Sequence, residues 1–171
     1  MSKKLTLLAA LCIALALVSC GKTAGAPGGM KVCSNNEVDY FFYVPESWTL
    51  DLSTRAVSAY CSAADPSSIS VMAWDLSEPL TLDDWWSAAL TDFKLAFAAF
   101  DVTSELDTTL DGAPAKQYAC TAKLGANEYR FLYTACISRS TVYLITYTSV
   151  PENYETHLDA VSDMTGYFRF K

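Results

Sequence analysis

An α+β domain with a largely antiparallel sheet is predicted by three observations. Strand-like runs lie side by side in the chain, and several are joined by tight turns. Two capping signals open helices between those runs. One pair of runs alternates in a register that sends its apolar side chains to a single face.

The strand runs come first. Val38 to Val44 reads VDYFFYV and stops at Pro45. Ala56 to Ser62 and Ser68 to Trp74 are also rich in β-formers, with the turn-like Ala64-Asp65-Pro66-Ser67 between them. A helix should follow. Thr81 stands three residues before Asp84, the spacing of a capping box, and Asp83 and Asp84 suit the positive end of the helix dipole. Leu82, Trp85 or Trp86, Ala89, Phe93, Ala96, Phe97 and Phe100 recur at helical spacing, a stripe of about five turns that needs a broad partner such as a sheet.

Strands then return. Val102 to Leu110 closes at the turn pair Asp111-Gly112. A two-residue turn at Gly125-Ala126 sets Leu124 opposite Asn127. It then pairs Tyr118 with Tyr133, Cys120 with Phe131 and Ala122 with Tyr129, all apolar on one face. Thr141 to Ser149 is a further strand. Ser149 and Glu152 form a second capping-box spacing with Pro151 near the helix start. Tyr154, Leu158, Val161 and Met164 line one face of that last helix, Gly166 can end it, and Tyr167 to Phe170 reads as a short closing strand.

The N-terminus carries an address. Lys3 and Lys4 precede an apolar run from Leu5 to Val18, broken only by Thr6, and Ser19-Cys20 follows. The run is too short to cross a bilayer, which needs about 20 residues, and reads as an export signal. Leu17-Val18-Ser19-Cys20 resembles the lipobox of bacterial lipoproteins, in which the Cys sulfur is lipidated and the signal removed before it. The organisation expected is a signal over 1–19, the lipidated Cys20 with a Gly/Ala/Pro-rich tether over 20–35, and one domain over 36–171. Loss of Lys3 and Lys4 would take the formal charge from −7 to −9. So acidic a chain is repelled by nucleic acid and by anionic headgroups, which excludes a nucleic-acid partner and leaves membrane attachment to the lipid. Each buried methylene is worth about 0.8 kcal/mol, and two acyl chains hold where one is marginal.

Cys33, Cys61, Cys120 and Cys136 remain in the exported domain. An even number in that setting favours disulfides over four buried free thiols. Proximity pairs Cys33 with Cys61 and Cys120 with Cys136. The hairpin register weakens the second pair, because it points Cys120 inward and Cys136 to the opposite face, so a direct bond needs a bulge. No metal site is expected, since no CxxC occurs and His157 is the chain's one histidine. No catalytic residue and no cofactor are expected either: phosphate-cradling glycine motifs and GxSxG are absent from the sequence. His157 reads as a partly exposed helix residue rather than a general base. Glu105, Asp107 and Asp111 read as solvated strand edges. Trp85 and Trp86 are about 100° apart on their helix, so both reach one sheet only at the stripe's margins. Core packing is the plainer account of them; a ring on the rim of a pocket or partner surface is the functional one.

FFYVPESW (Phe41 to Trp48), SISVMAW (Ser68 to Trp74), DGAPAKQY (Asp111 to Tyr118), YLITYTS (Tyr143 to Ser149) and YFRF (Tyr167 to Phe170) together resemble the PsbP-like domains, over residues 36 to 170. That resemblance implies an antiparallel sheet flanked by helices. Members include extrinsic photosystem II subunits, a Ran-binding import factor and bacterial lipoproteins. The lipobox points to the last group. The family mostly binds or supports partners, so no catalytic position carries over. The function expected is a non-catalytic lipoprotein on the extracytoplasmic side of a bacterial membrane, binding an envelope or secreted protein. A small-ligand binder with an aromatic pocket between helix and sheet is the alternative, and a hydrolase the least supported reading.

Overall fold

A computed structural model describes residues 25–51 and 56–171. The export signal and Cys20 lie outside the described residues.

A seven-stranded antiparallel sheet is the frame. It comprises β4 (Thr49–Asp51), β5 (Val57–Tyr60), β6 (Ser68–Asp75), β7 (Ala99–Leu110), β8 (Ala113–Leu124), β9 (Asn127–Ser138) and β10 (Thr141–Ser149), in the order β4-β5-β6-β10-β9-β8-β7. Two small ladders add to it. β1 (Met30–Val32) pairs with β3 (Tyr43–Pro45), and β2 (Tyr40–Phe41) pairs with β11 (Arg169–Phe170). The helices are α1 (Leu82–Ala96), α2 (Pro151–Tyr154) and α3 (Leu158–Gly166), with a 3₁₀ turn over Glu155–His157 between the last two.

Three tight hairpins build the β7–β10 half. Asp111 and Gly112 have φ of 47° and 80°, and Arg139 and Ser140 have φ of 52° and 64°. Two consecutive positive φ values give the turn whose twist matches that of the flanking strands. The β8–β9 ladder runs Leu124↔Asn127, Ala122↔Tyr129, Cys120↔Phe131 and Tyr118↔Tyr133, as the alternation predicts. It continues to Ala115↔Cys136. A bulge at Thr103 shifts β7 by one residue against β8, and the Thr103 hydroxyl donates to the Ala119 carbonyl across it at 3.0 Å.

The sheet is covered on both faces. On one face Phe100, Tyr118, Cys120, Phe131, Tyr133 and Leu144 pack beneath α1 and its Trp86. On the other, Ile69, Val71, Cys136, Tyr143, Ile145 and Tyr147 pack against Phe42, Trp48, Tyr154, Val161, Met164 and Phe168. Four consecutive residues of β9, Tyr133 to Cys136, are therefore buried, since both sides of the strand face protein.

Several expectations change. The segment read as tether holds β1, because Met30 enters the core and its strand pairs with β3. The single strand expected over Val38–Val44 divides at Phe42 into β2 and β3, which serve different ladders. The first helix ends at Ala96, a turn earlier than its stripe: Phe97 N–H bonds the Phe93 carbonyl and Phe100 belongs to β7. Thr81 caps α1 as expected, accepting from Asp84 N–H at 3.1 Å. Ser149 caps nothing. It remains in β10, buried, with its Oγ 2.7 Å from Ser67 Oγ, and Val150 takes the N-cap position of α2.

The disulfide framework is also revised. Cys33, Cys61, Cys120 and Cys136 are all free thiols. Cys120 belongs to the cluster under α1 and Cys136 to the cluster across the sheet, so the β-strand alternation that placed them on opposite faces also keeps them apart. The Cys33 thiol instead donates to the Ser58 carbonyl at 3.6 Å.

Candidate functional site

Trp85 and Trp86, adjacent in α1, do different work. Trp86 is buried, and its indole lies on the Tyr118 ring with centroids 3.7 Å apart. It also meets Phe93 and Tyr133. Such a side chain belongs to the core, so of the two candidate tryptophans Trp85 is the ring left at a surface. Trp85 is half-buried and 6.1 Å from the Trp74 ring.

Trp74 sits there because α1 covers only part of its sheet face. The helix crosses β7–β9, and the outer part of β6 is left open. Met72 is 44 % exposed and Trp74 39 %. Between α1 and β6–β10 runs an open groove of about 600 Å³, walled by Met72, Trp74, Trp85, Phe93 and Leu144, with Asp92 on its rim. The alternation of β6 explains the pattern: Ile69 and Val71 point to the far core, while Ser70, Met72 and Trp74 share the near face. Large exposed apolar side chains grouped in one concavity are the physical feature that a binding surface requires. Sequence reasoning named Trp85 but passed over Met72 and Trp74, because the run Ser68 to Trp74 shows only that it is rich in β-formers and not which of its faces stays open.

A second grouping joins residues far apart in the chain. His157 is partly exposed, as expected, but it is held by partners from elsewhere in the chain. It lies in the 3₁₀ turn, its Nε2 is 2.7 Å from Asp65 Oδ2, and the Trp48 ring meets its imidazole edge-on at 5.6 Å. Asp65 belongs to the loop after β5, which closes through Cys61 N–H to the Ser67 carbonyl at 2.8 Å. Ser67 donates to Asp65 Oδ1 from its hydroxyl at 2.6 Å and from its amide at 3.0 Å. Burial alone would raise the Asp65 carboxyl. Hydrogen bonds from His157, Ser67 and Asn153 outweigh it and hold the group well below the usual carboxylate range. Cys61 Sγ, Asp65 and His157 bring their donor atoms within 4.8 Å of one another.

This trio contains the residue types of a thiol-hydrolase triad, but its electrostatics oppose that use. Burial, and then the Asp65 charge, push the Cys61 thiol up, so the attacking thiolate is disfavoured at neutral pH. The acidic edge is also engaged. Lys116 Nζ bridges Glu105 at 2.6 Å and Asp83 at 2.7 Å, tying β7 to the start of α1, and Asp111 accepts from Phe170 N–H at 2.9 Å.

No family model and no curated protein sequence matches the chain. Solved structures do. The solution structure of cyanobacterial PsbP (CyanoP) from Synechocystis sp. PCC 6803 superposes with a TM-score of 0.61 at 14 % identity, covering 91 % of this chain and 99 % of that one. The Ran-binding protein Mog1p of Saccharomyces cerevisiae gives 0.61 at 12 % identity, over 82 % and 95 % of the two chains. LpqN of Mycobacterium tuberculosis, involved in cell envelope biogenesis, gives 0.55 at 13 %, over 86 % and 81 %. Identities this low speak for the fold alone. With the antiparallel sheet, the helix α1 on one face and the closing helices on the other, they show that the chain has the PsbP-like α+β fold.

Proposed function

We propose that this chain is a lipid-anchored, non-catalytic binding module of a bacterial envelope, and that the groove between α1 and β6–β10 receives an apolar segment of a partner protein. The observation that carries the reading is the exposure of Met72 and Trp74 beside Trp85, on a face that α1 otherwise covers. Aromatic side chains of this kind dominate binding energy when a partner desolvates them. Asp92 on the rim and the net negative charge favour a partner segment with flanking Lys or Arg. The Leu17–Cys20 lipobox supports the anchor, and similarity to an envelope-biogenesis protein and a Ran-binding protein accords with an accessory role.

The test is affinity capture from detergent-solubilised envelope with the intact chain and with a Trp74→Ala/Trp85→Ala variant. The reading expects a partner retained by the first and lost by the second. Capture of nothing above background, or equal capture by both, overturns it. The same groove also has the volume of small-ligand sites, which run from about 300 to 1,000 Å³. An apolar molecule that co-purifies with the intact chain and is absent from the double variant would support that second reading.

A further inference from the structure

We propose that Cys61, Asp65 and His157 form a binding site for a borderline-soft divalent cation of the Zn²⁺ class. The three side chains offer one sulfur, one oxygen and one imidazole nitrogen, all within 4.8 Å of one another. That mixed set suits Zn²⁺, whereas Ca²⁺ and Mg²⁺ take oxygen ligands. Zinc bonds of about 2.0 Å to N and O and about 2.3 Å to S place tetrahedral donors roughly 3.3–3.6 Å apart. The His157–Asp65 contact of 2.7 Å would open by about half an ångström, and Cys61 would close by about 1.3 Å at most.

The surroundings are built for it. Ser67 occupies Asp65 Oδ1 with two hydrogen bonds, which leaves Oδ2 directed at His157. Ser67 is itself held by Ser149, and both are buried. Trp48 fixes the imidazole plane from the side. Partners of this sort orient metal ligands and set their basicity. The loop that carries Cys61 and Asp65 is closed at its base by the Cys61–Ser67 backbone bond and inside by Ser62, whose N–H donates to the Asp65 carbonyl at 3.0 Å. Binding displaces the Cys61 thiol proton to solvent and leaves a fourth coordination position for water. The site lies across the sheet from the groove and is independent of what the groove holds.

The experiment uses the full chain in detergent micelles with a phosphine reductant. Zn²⁺ is titrated in competition with a chromogenic chelator, and Co²⁺ is titrated while the thiolate-to-cobalt charge-transfer band is recorded. One equivalent is expected. Cys61→Ser should abolish the band. His157→Gln and Asp65→Asn should each weaken Zn²⁺ by about tenfold or more. Cys33→Ser should change neither, and Ca²⁺ should not compete. Because a variant in this loop can fail to fold, Zn²⁺ protection of Cys61 from alkylation is mapped in the unmutated chain as well. Absence of saturable binding, a band that survives Cys61→Ser, or alkylation of Cys61 at the same rate with and without Zn²⁺ overturns the proposal.

Discussion

The Trp86 indole lies flat on the Tyr118 ring, 3.7 Å between centroids and 5° between planes, while its neighbour Trp85 faces the open groove. The pair joins α1 to β8 at the middle of the sheet face that α1 covers.

Removal of Trp86 should therefore be costly. Trp86→Ala is expected to destabilise the domain by about 3–5 kcal/mol, through lost burial and the cavity left over Tyr118. Trp85→Ala should cost under about 1 kcal/mol, because its ring is already partly in water. Urea unfolding followed by far-ultraviolet circular dichroism measures both. Equal costs would mean that the two rings are not divided between core and groove.

Ser67→Ala should destabilise by about 1–3 kcal/mol although it removes a single oxygen. That hydroxyl is fully buried and serves both Asp65 and Ser149, which would be left short of partners. Ser67→Cys, which fills the volume but bonds weakly, should recover little of the loss. The same unfolding measurement decides it, and a cost within experimental error would remove the Ser67 bridge as a structural tie.

The buried thiols give an alkaline signature. Burial pushes Cys120 up to about 12 and Cys136 up to about 11, from an ordinary value of 9.0. The folded state thus holds these protons more tightly than the unfolded one. Their contribution is complete below about pH 9 and is lost as pH rises through the folded values. The urea midpoint should fall as pH rises from about 9 toward 11, and Cys136→Ala should flatten that fall relative to the parent chain. An unchanged slope would show that Cys136 is already ionisable in the folded domain.

Cys20→Ser tests the address. The variant should persist as an uncleaved precursor or as protein that takes up no radioactive palmitate. Labelling that continues in Cys20→Ser would move the lipid to another residue and remove the anchor from the proposed function.

Much of the fold is legible in local patterns. The β8–β9 register follows from side chains that alternate with period two about a glycine turn, since a one-residue slip would send Tyr118, Cys120 and Ala122 to the wrong face. Thr81 and Asp84 mark the start of α1 because capping is satisfied within one turn of chain. The short strands β1 and β4 escape because three residues carry too little pattern, and Ser149 misleads because a capping spacing says nothing of a serine hydroxyl 82 residues away.

The sequence by itself determined the α+β class, the β8–β9 register and the segregation of Cys120 from Cys136, because these depend on neighbours a few residues away. Only the tertiary structure decided that Trp85 and not Trp86 faces the groove, that Met72 and Trp74 stay open beside it, and that His157 meets Asp65 and Cys61. Those outcomes turn on where α1 lies across the sheet and on a contact closed over 92 residues. No local periodicity encodes either, because both are settled by the packing of whole elements.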